Sequence, residues 1–589
     1  SLIENKFSIK ILEISTKSLE IRNLISFLRS FRNSPELFLL EKTIKNGYLI
    51  SNIKLEFDSE GIIKNNYEIN GFLRDTKLSI LKKYKLQKLD LIFNFKKDNL
   101  SLSDISFTLN DLKFLSENIS LKKDKDDFSV SGEIKHKELV FNKKKLDLFV
   151  KPFFPDIDFE KLRFSSKNRF SFKTNKKFEF SNFTLESDTL IDELSVINKF
   201  KLKNFFPNIK ENFNLSDHKL SIKYLKNKIY LDGKGNILIQ DNKDTLTYSI
   251  AKKNDILDFK TSLKINDNPF NIESLNYKKE NILIQLEGSK NKKNEIKIKD
   301  FFINEKENRI RAQNIKLNKN LEIVKLGTVS LKYTDQENQK NQIKFYPMKN
   351  KYILKGPSFN ANSLVDDLLF KDQNSNFFNI NTTIEVSIDK IFLDNEYDLF
   401  NFNGNIIFKN KEIVKANLNG SFPNNKKLNF TINTNDSNKI TTLYIDKAEP
   451  IVKRYKFIKG FDNGILDFYS SKKLNESTST LKIYDFNLKE LPALTKILTL
   501  ASLQGIADIL SGEGIGFDEF EMKFKSNKDG MIIDEIYAIG PAISILMDGY
   551  VEKDKLISLR GTLVPATTVN KFIGSLPVLG KILVGSKTG

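Results

Sequence analysis

Apolar and polar residues alternate with a period of two along most of this chain. Ile53, Leu55 and Phe57 fall on one side of such a run, and the turn-forming residues 58–61 end it. The same alternation recurs further along, for example in residues 418–432. A period of two places successive apolar side chains on one face of a strand. The sequence therefore predicts a long antiparallel sheet built from consecutive strands.

A tripeptide made of an apolar residue, a polar residue and glycine recurs along the chain. Its glycines are Gly71, Gly132, Gly233, Gly288, Gly404, Gly420, Gly549 and Gly561. We interpret them as residues at strand ends that permit a bend, a bulge or the close approach of another backbone, and an ordinary hairpin turn is an equal alternative for Gly233. A sheet that bends at one level, strand after strand, curls into a trough. We therefore predict a mainly β fold, in which a long curled antiparallel sheet forms an elongated, open, solenoid-like trough with a few amphipathic helices, chiefly near the C-terminus.

Several segments have helical spacing instead. Residues 17–31 are amphipathic, and residues 363–370 and 446–455 begin with capping-box sequences, the second of them at Asp446. The segment 491–510 is longer, is interrupted by charged residues and is followed by glycine. We expect it to lie on a membrane surface, to dock on a partner or to cap the trough, and not to span a bilayer. Its apolar face contains Leu494, Ile497, Leu498 and Ala501.

Length and composition exclude several classes of protein. A chain of 589 residues exceeds what one compact core usually supports, so we expect several domains or an elongated repeat. The absence of cysteine excludes disulfides, thiolate metal sites and cysteine nucleophiles. The net charge of +20 is spread along the chain. We interpret it first as a composition bias and second as attraction to an anionic membrane, and a nucleic-acid partner is disfavoured.

The sequence contains few residues suited to catalysis. The chain has two histidines, His136 and His218, and neither belongs to a zinc-binding spacing. We interpret both as surface or strand-face residues. The glycine-rich residues 512–516 follow a helical pattern and precede a strand pattern, the reverse of a dinucleotide-binding loop. We therefore expect no catalytic residues, no metal site, no cofactor and no enzymatic activity.

The order of motifs near the C-terminus resembles that of the AsmA-like family, especially its YhdP-type branch. A leucine-rich helix pattern is followed by a strand pattern and by short glycine and proline motifs. The residues that carry the resemblance are Gly512-Glu513-Gly514-Ile515-Gly516-Phe517, Gly540-Pro541, Gly549, Gly561 with Pro565, and Pro577-Val578-Leu579-Gly580. The resemblance covers roughly the last hundred residues well and extends weakly back to about Gly356.

The resemblance implies a domain organisation and a location. Residues 1–50 would form an N-terminal helical segment, residues 51–355 the β-trough, and residues 356–589 the AsmA-like C-terminal region with its capping helices. The chain begins without methionine, signal peptide or membrane-spanning segment, so we expect that a natural N-terminal anchor is missing from it. The family implies a periplasmic protein that is anchored in the inner membrane of a Gram-negative bacterium.

The resemblance also implies a function. AsmA-like proteins, and the bridge-like lipid-transfer proteins that they resemble, cover the apolar face of a trough with acyl chains. We expect phospholipid as the ligand, and the outer membrane or one of its proteins as the partner at the C-terminal end. Two alternatives stay open, an outer-membrane protein assembly module resembling TamB and a passive envelope scaffold. Apolar residues within alternating runs are the candidates for the groove lining, namely Phe402, Ile406, Leu418, Phe422, Leu428, Phe430 and Ile432.

Overall fold

The computed structural model gives the fold of most of the chain. It describes residues 9–31, 38, 41–64, 66–81, 84–109, 112–124, 127–152, 154, 157–175, 179–199, 202–365, 381–393, 396–409, 412–435, 438–454, 460–474, 476–489, 512, 514–527, 530–552 and 557–565. Strands make up 73% of it and helices 7%. The prediction of a mainly β fold with few helices is confirmed. The trough shape and the C-terminal helices stay predictions.

The strands belong almost entirely to one large sheet of 32 strands, and a second sheet has two. The chain divides into two compact units. Unit 1 comprises Ser1–Pro269 and Glu280–Lys293, and unit 2 comprises Phe270–Lys279 and Asn294–Gly589. The domain boundaries predicted at residues 50 and 355 rest on the family resemblance. The division into compact units does not test them, so they stay predictions.

Fifteen of the described strands lie in unit 1. They are β1 (Ile11–Ser15), β2 (Leu19–Glu20), β3 (Ile44–Glu56), β4 (Glu68–Leu81), β5 (Tyr84–Lys96), β6 (Asn99–Leu109), β7 (Leu112–Asp124), β8 (Asp127–Asn142), β9 (Phe159–Asn175), β10 (Phe180–Ile197), β11 (Asn212–Leu225), β12 (Lys228–Leu238), β13 (Lys243–Lys253), β14 (Ile256–Lys264) and β17 (Leu283–Lys290). From β3 to β14 each strand pairs antiparallel with the next one in sequence, and β14 pairs with β17. Hairpins of this kind need only short turns.

The remaining described strands lie in unit 2. They are β15 (Phe270–Ile272), β16 (Tyr277–Lys279), β18 (Ile296–Glu305), β19 (Asn308–Leu317), β20 (Ile323–Lys325), β21 (Thr328–Thr334), β22 (Lys340–Met348), β23 (Lys351–Asn360), β24 (Thr382–Phe392), β25 (Asp398–Lys409), β26 (Glu412–Ser421), β27 (Lys427–Asn435), β28 (Asn438–Ile445), β29 (Phe461–Lys473), β30 (Glu476–Leu488), β31 (Ile515–Ser526), β32 (Gly530–Ile539), β33 (Ile543–Glu552) and β34 (Ile557–Pro565). β23 and β24 pair in parallel, unlike the antiparallel pairs around them. A parallel pair requires a crossover connection, which falls between Asn360, the last residue of β23, and Thr382, the first residue of β24.

The described helices are short. α1 (Ile21–Phe31) confirms the amphipathic helix predicted near the N-terminus. α2 (Lys143–Phe149) starts at Asn142, whose side chain accepts a hydrogen bond from the backbone of Lys145. α3 (Glu449–Val452) starts at Ala448, so the capping role predicted for Asp446 is wrong. The carboxylate of Asp446 instead accepts hydrogen bonds from the backbone of Lys427 and the hydroxyl of Tyr444. Residues 362–365 are helical, and the predicted helix at 491–510 lies outside the described residues.

The two faces of the unit 1 sheet differ in chemistry. On one face Glu133, Arg169, Glu186 and Lys223 stand directly opposite one another on β8, β9, β10 and β11. Their charges alternate, and Lys223 lies 2.7 Å from Glu186. Opposite charges paired across strands favour this register. The other face is mainly apolar, as strand alternation requires.

Bulges interrupt the ladders at related levels in neighbouring strands. The register shifts after His136 in β8, after Ile191 in β10 and after Ser216 in β11. Asp217 at the last of these shifts has a positive φ of 51°, a conformation that Asp and Asn tolerate better than most residues. A bulge bends its strand and increases the local twist. Each of these strands therefore has a local bend at its bulge.

Most of the recurrent glycines lie inside strands, so their predicted position at strand ends is wrong, except for Gly420, which is the last residue but one of β26. Gly233 is in the middle of β12, which also excludes the hairpin-turn alternative for it. Gly404, in β25, has a φ of 147°, and a Cβ there would overlap the carbonyl oxygen of Asn417 on β26. Close approach of a neighbouring backbone is therefore the reason for glycine at this position.

We predict that Gly404→Ala lowers the free energy of unfolding by about 1–3 kcal/mol, because alanine is strained at this φ and meets the Asn417 carbonyl. The measurement is urea unfolding followed by circular dichroism. Gly516→Ala is the control, since a Cβ at Gly516 would meet only the side-chain oxygen of Asn487, at 3.2 Å. Equal effects of the two substitutions would contradict this account of Gly404.

Candidate functional site

A row of directly paired residues crosses seven strands on the apolar face of unit 1. Each member stands opposite the next across the ladder. We call it the hydroxyl row, because Ser, Thr and Tyr provide four of its side chains. From β8 to β14 its members are His136, Ser166, Thr189, Leu220, Gly233, Tyr248 and Thr261.

The hydroxyl row lies along a cavity of about 840 Å³. All seven of its residues line this cavity, together with their neighbours in the same strands. Seven consecutive strands of one sheet, β8 to β14, bound this cavity. Drug-sized ligands occupy pockets of about 300–1,000 Å³, so the space has room for part of an elongated ligand.

Apolar rows flank the hydroxyl row. On one side Ile222, Leu231, Ile250 and Phe259 follow one another across β11 to β14, and all four are half-buried. On the other side lie residues that include Leu139, Phe164, Ile191, Leu246 and Leu263. Among the described helices, α2 packs on β8 and β9 beside Leu139, at one end of this face. Much of the apolar face therefore keeps contact with solvent.

His136 is the centre of a polar cluster at the β8 end of the row. Its side chain is only 7% exposed, and its Nε2 lies 2.7 Å from the hydroxyl of Ser166. The amide of Asn168 donates to the same hydroxyl at 2.8 Å, and the rings of Phe114 and Phe164 meet the imidazole edge-on. Burial lowers the pKa of His136. Its Nδ1 is buried and has no hydrogen-bond partner among the described residues.

His218 is fully buried and lies against Tyr248. The imidazole stacks on the phenol ring with centroids 5.4 Å apart, and its Nε2 is 3.2 Å from the tyrosine hydroxyl. The phenol ring covers Gly233, and a Cβ at Gly233 would collide with it. Burial lowers the pKa of His218 and raises the pKa of Tyr248. Both histidines are buried on the apolar face of their strands, so they are strand-face residues, one of the two alternatives expected, and not surface residues.

Unit 2 has an uninterrupted apolar row of the same kind. We call it the apolar row. It crosses from β24 to β33 through successive ladder pairs. Gly404 is its only member without an apolar side chain. Its members are Val386, Gly404, Leu418, Phe430, Leu443, Phe468, Leu481, Met522, Ile536 and Met547.

The structure brings the predicted groove residues together on this face. Leu418 and Phe430 belong to the apolar row, while Ile406, Leu428 and Ile432 are on the same face in the adjoining rows. Phe402 lies on the same face of β25 as Ile406, because an even number of positions separates them. Phe422 is 3% exposed and directly follows the last residue of β26. All except Ile432 contact one hydrophobic core cluster. The docking-helix residues Leu494, Ile497, Leu498 and Ala501 lie outside the described residues.

Sequence reasoning missed the hydroxyl row, because its members are far apart in the chain. His136 and Thr261, for example, are brought to one level only by six successive strand pairings. One signal was present: Ser166, Thr189 and Thr261 interrupt alternating apolar positions in their strands. Register decides whether such interruptions align.

Neither a metal centre nor a membrane-spanning helix appears in the described part of the chain. No group of three or more His, Asp or Glu side chains there is arranged to hold a metal ion. None of its helices combines the length and the apolar character needed to cross a bilayer. Comparison with known proteins gives no match to a family model or to a curated sequence.

We predict that the two histidines make the fold sensitive to mild acid. Burial lowers both pKa values, so the unfolded chain, with a histidine pKa of about 6.5, binds protons more readily than the folded one. The stability contributed by the neutral imidazoles is fully present above that unfolded pKa and is lost as the pH falls below it. The folded protein should therefore lose stability between about pH 7.5 and about pH 5.5.

The measurement is the denaturant midpoint at both pH values for the wild type and for the double variant His136→Gln, His218→Gln. The carboxylates are the same in both proteins, so the difference between the two pH dependences isolates the histidines. The variant should show the smaller loss. Parallel pH dependences would show that the buried imidazoles do not control acid stability.

Proposed function

We propose that this protein carries phospholipid along the apolar face of its sheet, between the inner and outer membranes of a bacterial envelope. The observation that supports the proposal best is the half-buried apolar surface beside the hydroxyl row, which borders a cavity of about 840 Å³. A sheet face of this kind must be covered by a second layer or by a ligand. Acyl chains are a suitable cover.

The energetics of such a face favour movement of a chain along it. Each buried methylene contributes about 0.8 kcal/mol, so an acyl chain of ordinary length is held firmly in apolar surroundings. Successive strands are about 4.8 Å apart. In the apolar row of unit 2, every strand from β24 to β33 except β25, which has Gly404, presents an apolar side chain at the same level. A chain that moves from one strand to the next exchanges equivalent contacts without entering water. Binding is therefore compatible with transport.

The polar members of the hydroxyl row also support a ligand-bearing face. A dry protein core would leave the Nδ1 of His136 without a partner, which costs free energy. A face that meets water or the polar part of a lipid provides partners for such groups. The proposal includes a periplasmic location, attachment to the inner membrane, and the outer membrane or one of its proteins at the C-terminal end. It requires no catalysis, no cofactor and no nucleic acid.

One observation keeps an assembly module resembling TamB as a second candidate. Among the described strands, β34 pairs only with β33, and it exposes Ile557 and Leu559. An unpaired strand edge can receive an additional strand from another protein. Dependence on an outer-membrane protein substrate, with no lipid bound, would favour this candidate over lipid transport.

We predict that Ile250→Glu reduces the lipid that copurifies with the protein several-fold. Ile250 lies on the apolar face between Leu231 and Phe259, where a carboxylate is incompatible with acyl chains. Thr247→Glu is the matched control, since Thr247 is exposed on the opposite face of the same strand. The measurement is mass spectrometry of extracted lipid, with circular dichroism as a check of folding. Undiminished lipid in a folded Ile250→Glu protein would count against the proposal for unit 1.

In unit 2 we predict that Phe430→Glu blocks lipid transfer between donor and acceptor vesicles. Phe430 stands between Leu418 and Leu443 in the apolar row, so its replacement places a charge in the proposed path. Asn429→Glu, on the other face of β27, should transfer lipid normally. Transfer is measured as the movement of fluorescent phospholipid from donor to acceptor vesicles in the presence of the protein. Equal transfer rates for the two variants would remove Phe430 from the path.

A further inference from the structure

The apolar face of unit 2 ends in a polar region that the sequence did not reveal. Two further rows lie beside the apolar row, toward one end of the strands, in β27 to β31. They contain hydroxyl and ammonium groups where the apolar row contains Leu and Phe. We call this region the lysine corner, and it consists of Thr434, Lys439, Thr441, Ser470, Lys472, Ser477, Ser479 and Ser526.

The ladder register places the two lysines on the apolar face. In β28, Lys439 has the same parity as Leu443 and Ile445, which contact the hydrophobic core cluster. Lys439 stands opposite Thr434 on one side and Lys472 on the other. Lys482 and Lys523, on the opposite face of β30 and β31, instead meet carboxylates, since Lys482 lies 3.3 Å from Glu521 and Lys523 lies 3.1 Å from Glu535. Lys439 is half-buried and Lys472 is exposed, so the lysine corner lies at the solvent-facing end of the apolar face.

Within the described part of the chain, neither ammonium group forms an ion pair with a carboxylate. Like charges directly opposite each other across strands destabilise a sheet. No ion pair or hydrogen bond joins Lys439 or Lys472 to another described residue. Burial is the main cause that lowers the pKa of Lys439, Lys472 lowers it further, and the carboxylate of Glu412 acts on it in the opposite direction. The folded chain thus holds a pair of cations that an anion would stabilise.

The hydroxyl groups beside the lysines have unused hydrogen-bonding capacity. Ser479 donates to the hydroxyl of Ser470 at 2.8 Å, and the hydrogen of Ser470 has no acceptor among the described residues. The hydroxyl of Thr434 is buried and has no partner there. The hydroxyls of Ser477 and Ser526 form one hydrogen bond of 2.7 Å with each other. This bond uses the hydrogen of one hydroxyl and leaves the hydrogen of the other available. Several donors are therefore free for a ligand with many acceptor oxygens.

We propose that the lysine corner binds the phosphate of a lipid headgroup, while the acyl chains of that lipid lie along the adjoining apolar row. A phosphate ester has the negative charge that the two ammonium groups lack and the acceptor oxygens that the free hydroxyls require. The apolar row adjoins the lysine corner, because the pair Leu443 and Phe468 lies next to the pair Thr441 and Ser470 on the same face. One face therefore accommodates both the acyl chains and the headgroup. This inference rests on the proposed function and specifies its ligand as an anionic glycerophospholipid.

The experiment compares two lipids that differ only in the phosphate. Full-length protein stripped of lipid is titrated with a fluorescent phosphatidic acid and with the diacylglycerol that has the same acyl chains. The wild type should bind phosphatidic acid about tenfold more tightly, the equivalent of one strong charge-assisted interaction. The double variant Lys439→Gln, Lys472→Gln should lose this preference and bind diacylglycerol as the wild type does.

A matched control removes the same charge from the other face. Lys415→Gln, Lys473→Gln changes two exposed lysines whose strand parity is opposite to that of the lysine corner. It should keep the preference for phosphatidic acid. Loss of preference in this control as well would attribute the effect to net charge and overturn the site.

The remaining outcomes separate this inference from the function on which it rests. Equal binding of both lipids by the wild type would refute the headgroup site and leave lipid binding in place. Binding of neither lipid would refute the proposed function. Inorganic phosphate is the third probe: if it binds the wild type as tightly as phosphatidic acid does, and the Lys439→Gln, Lys472→Gln variant loses it, the corner is a phosphate site that is independent of lipid.

Discussion

The register of the hydrogen-bonded ladders is the constraint on which the rest of this structure depends. A shift of one residue in any strand would move its apolar side chains to the charged face. The ladders also create the transverse rows, since Phe430 meets Leu418 and Leu443 only through pairing. Cross-strand ion pairs such as Glu186 with Lys223 on the other face favour the same register. Both faces therefore specify one arrangement.

Bulges change this regular arrangement in a controlled way. Asp75, Asp217 and Asn401 have positive φ values and lie at register shifts in β4, β11 and β25. Each shift adds a residue to one strand of a pair, which bends the strand while the alternation resumes beyond it. The sheet can then curve and still keep its apolar residues on one side. The cavity along the hydroxyl row in unit 1 lies beside such shifts in β8, β10 and β11.

The sequence predicted the features that depend on neighbours in the chain. Alternation at Ile53, Leu55 and Phe57 correctly indicated a strand, and the spacing near residue 21 correctly indicated a helix. It did not predict the alignment of strands, because each pairing adds a choice of register that no short segment determines. The burial of His136 and His218 and the position of Lys439 on the apolar face depend on such alignment. The glycine pattern was visible, but its cause, backbone approach within strands, required the neighbouring strand.

The arrangement of polar and apolar rows has a consequence for transport. Rows run across the strands, so a lipid that moves from strand to strand can keep its acyl chains in an apolar row. The headgroup then stays at the level of the adjoining row, which is apolar at Ile432 and Phe524 and polar at Thr441, Ser470 and Ser479 between them. Favourable headgroup contacts are therefore confined to a few strands. A continuous line of lysines would hold an anionic lipid at every step, whereas a local site lets it pause and then continue. In this proposal the lysine corner is a stopping point within an otherwise uniform apolar path.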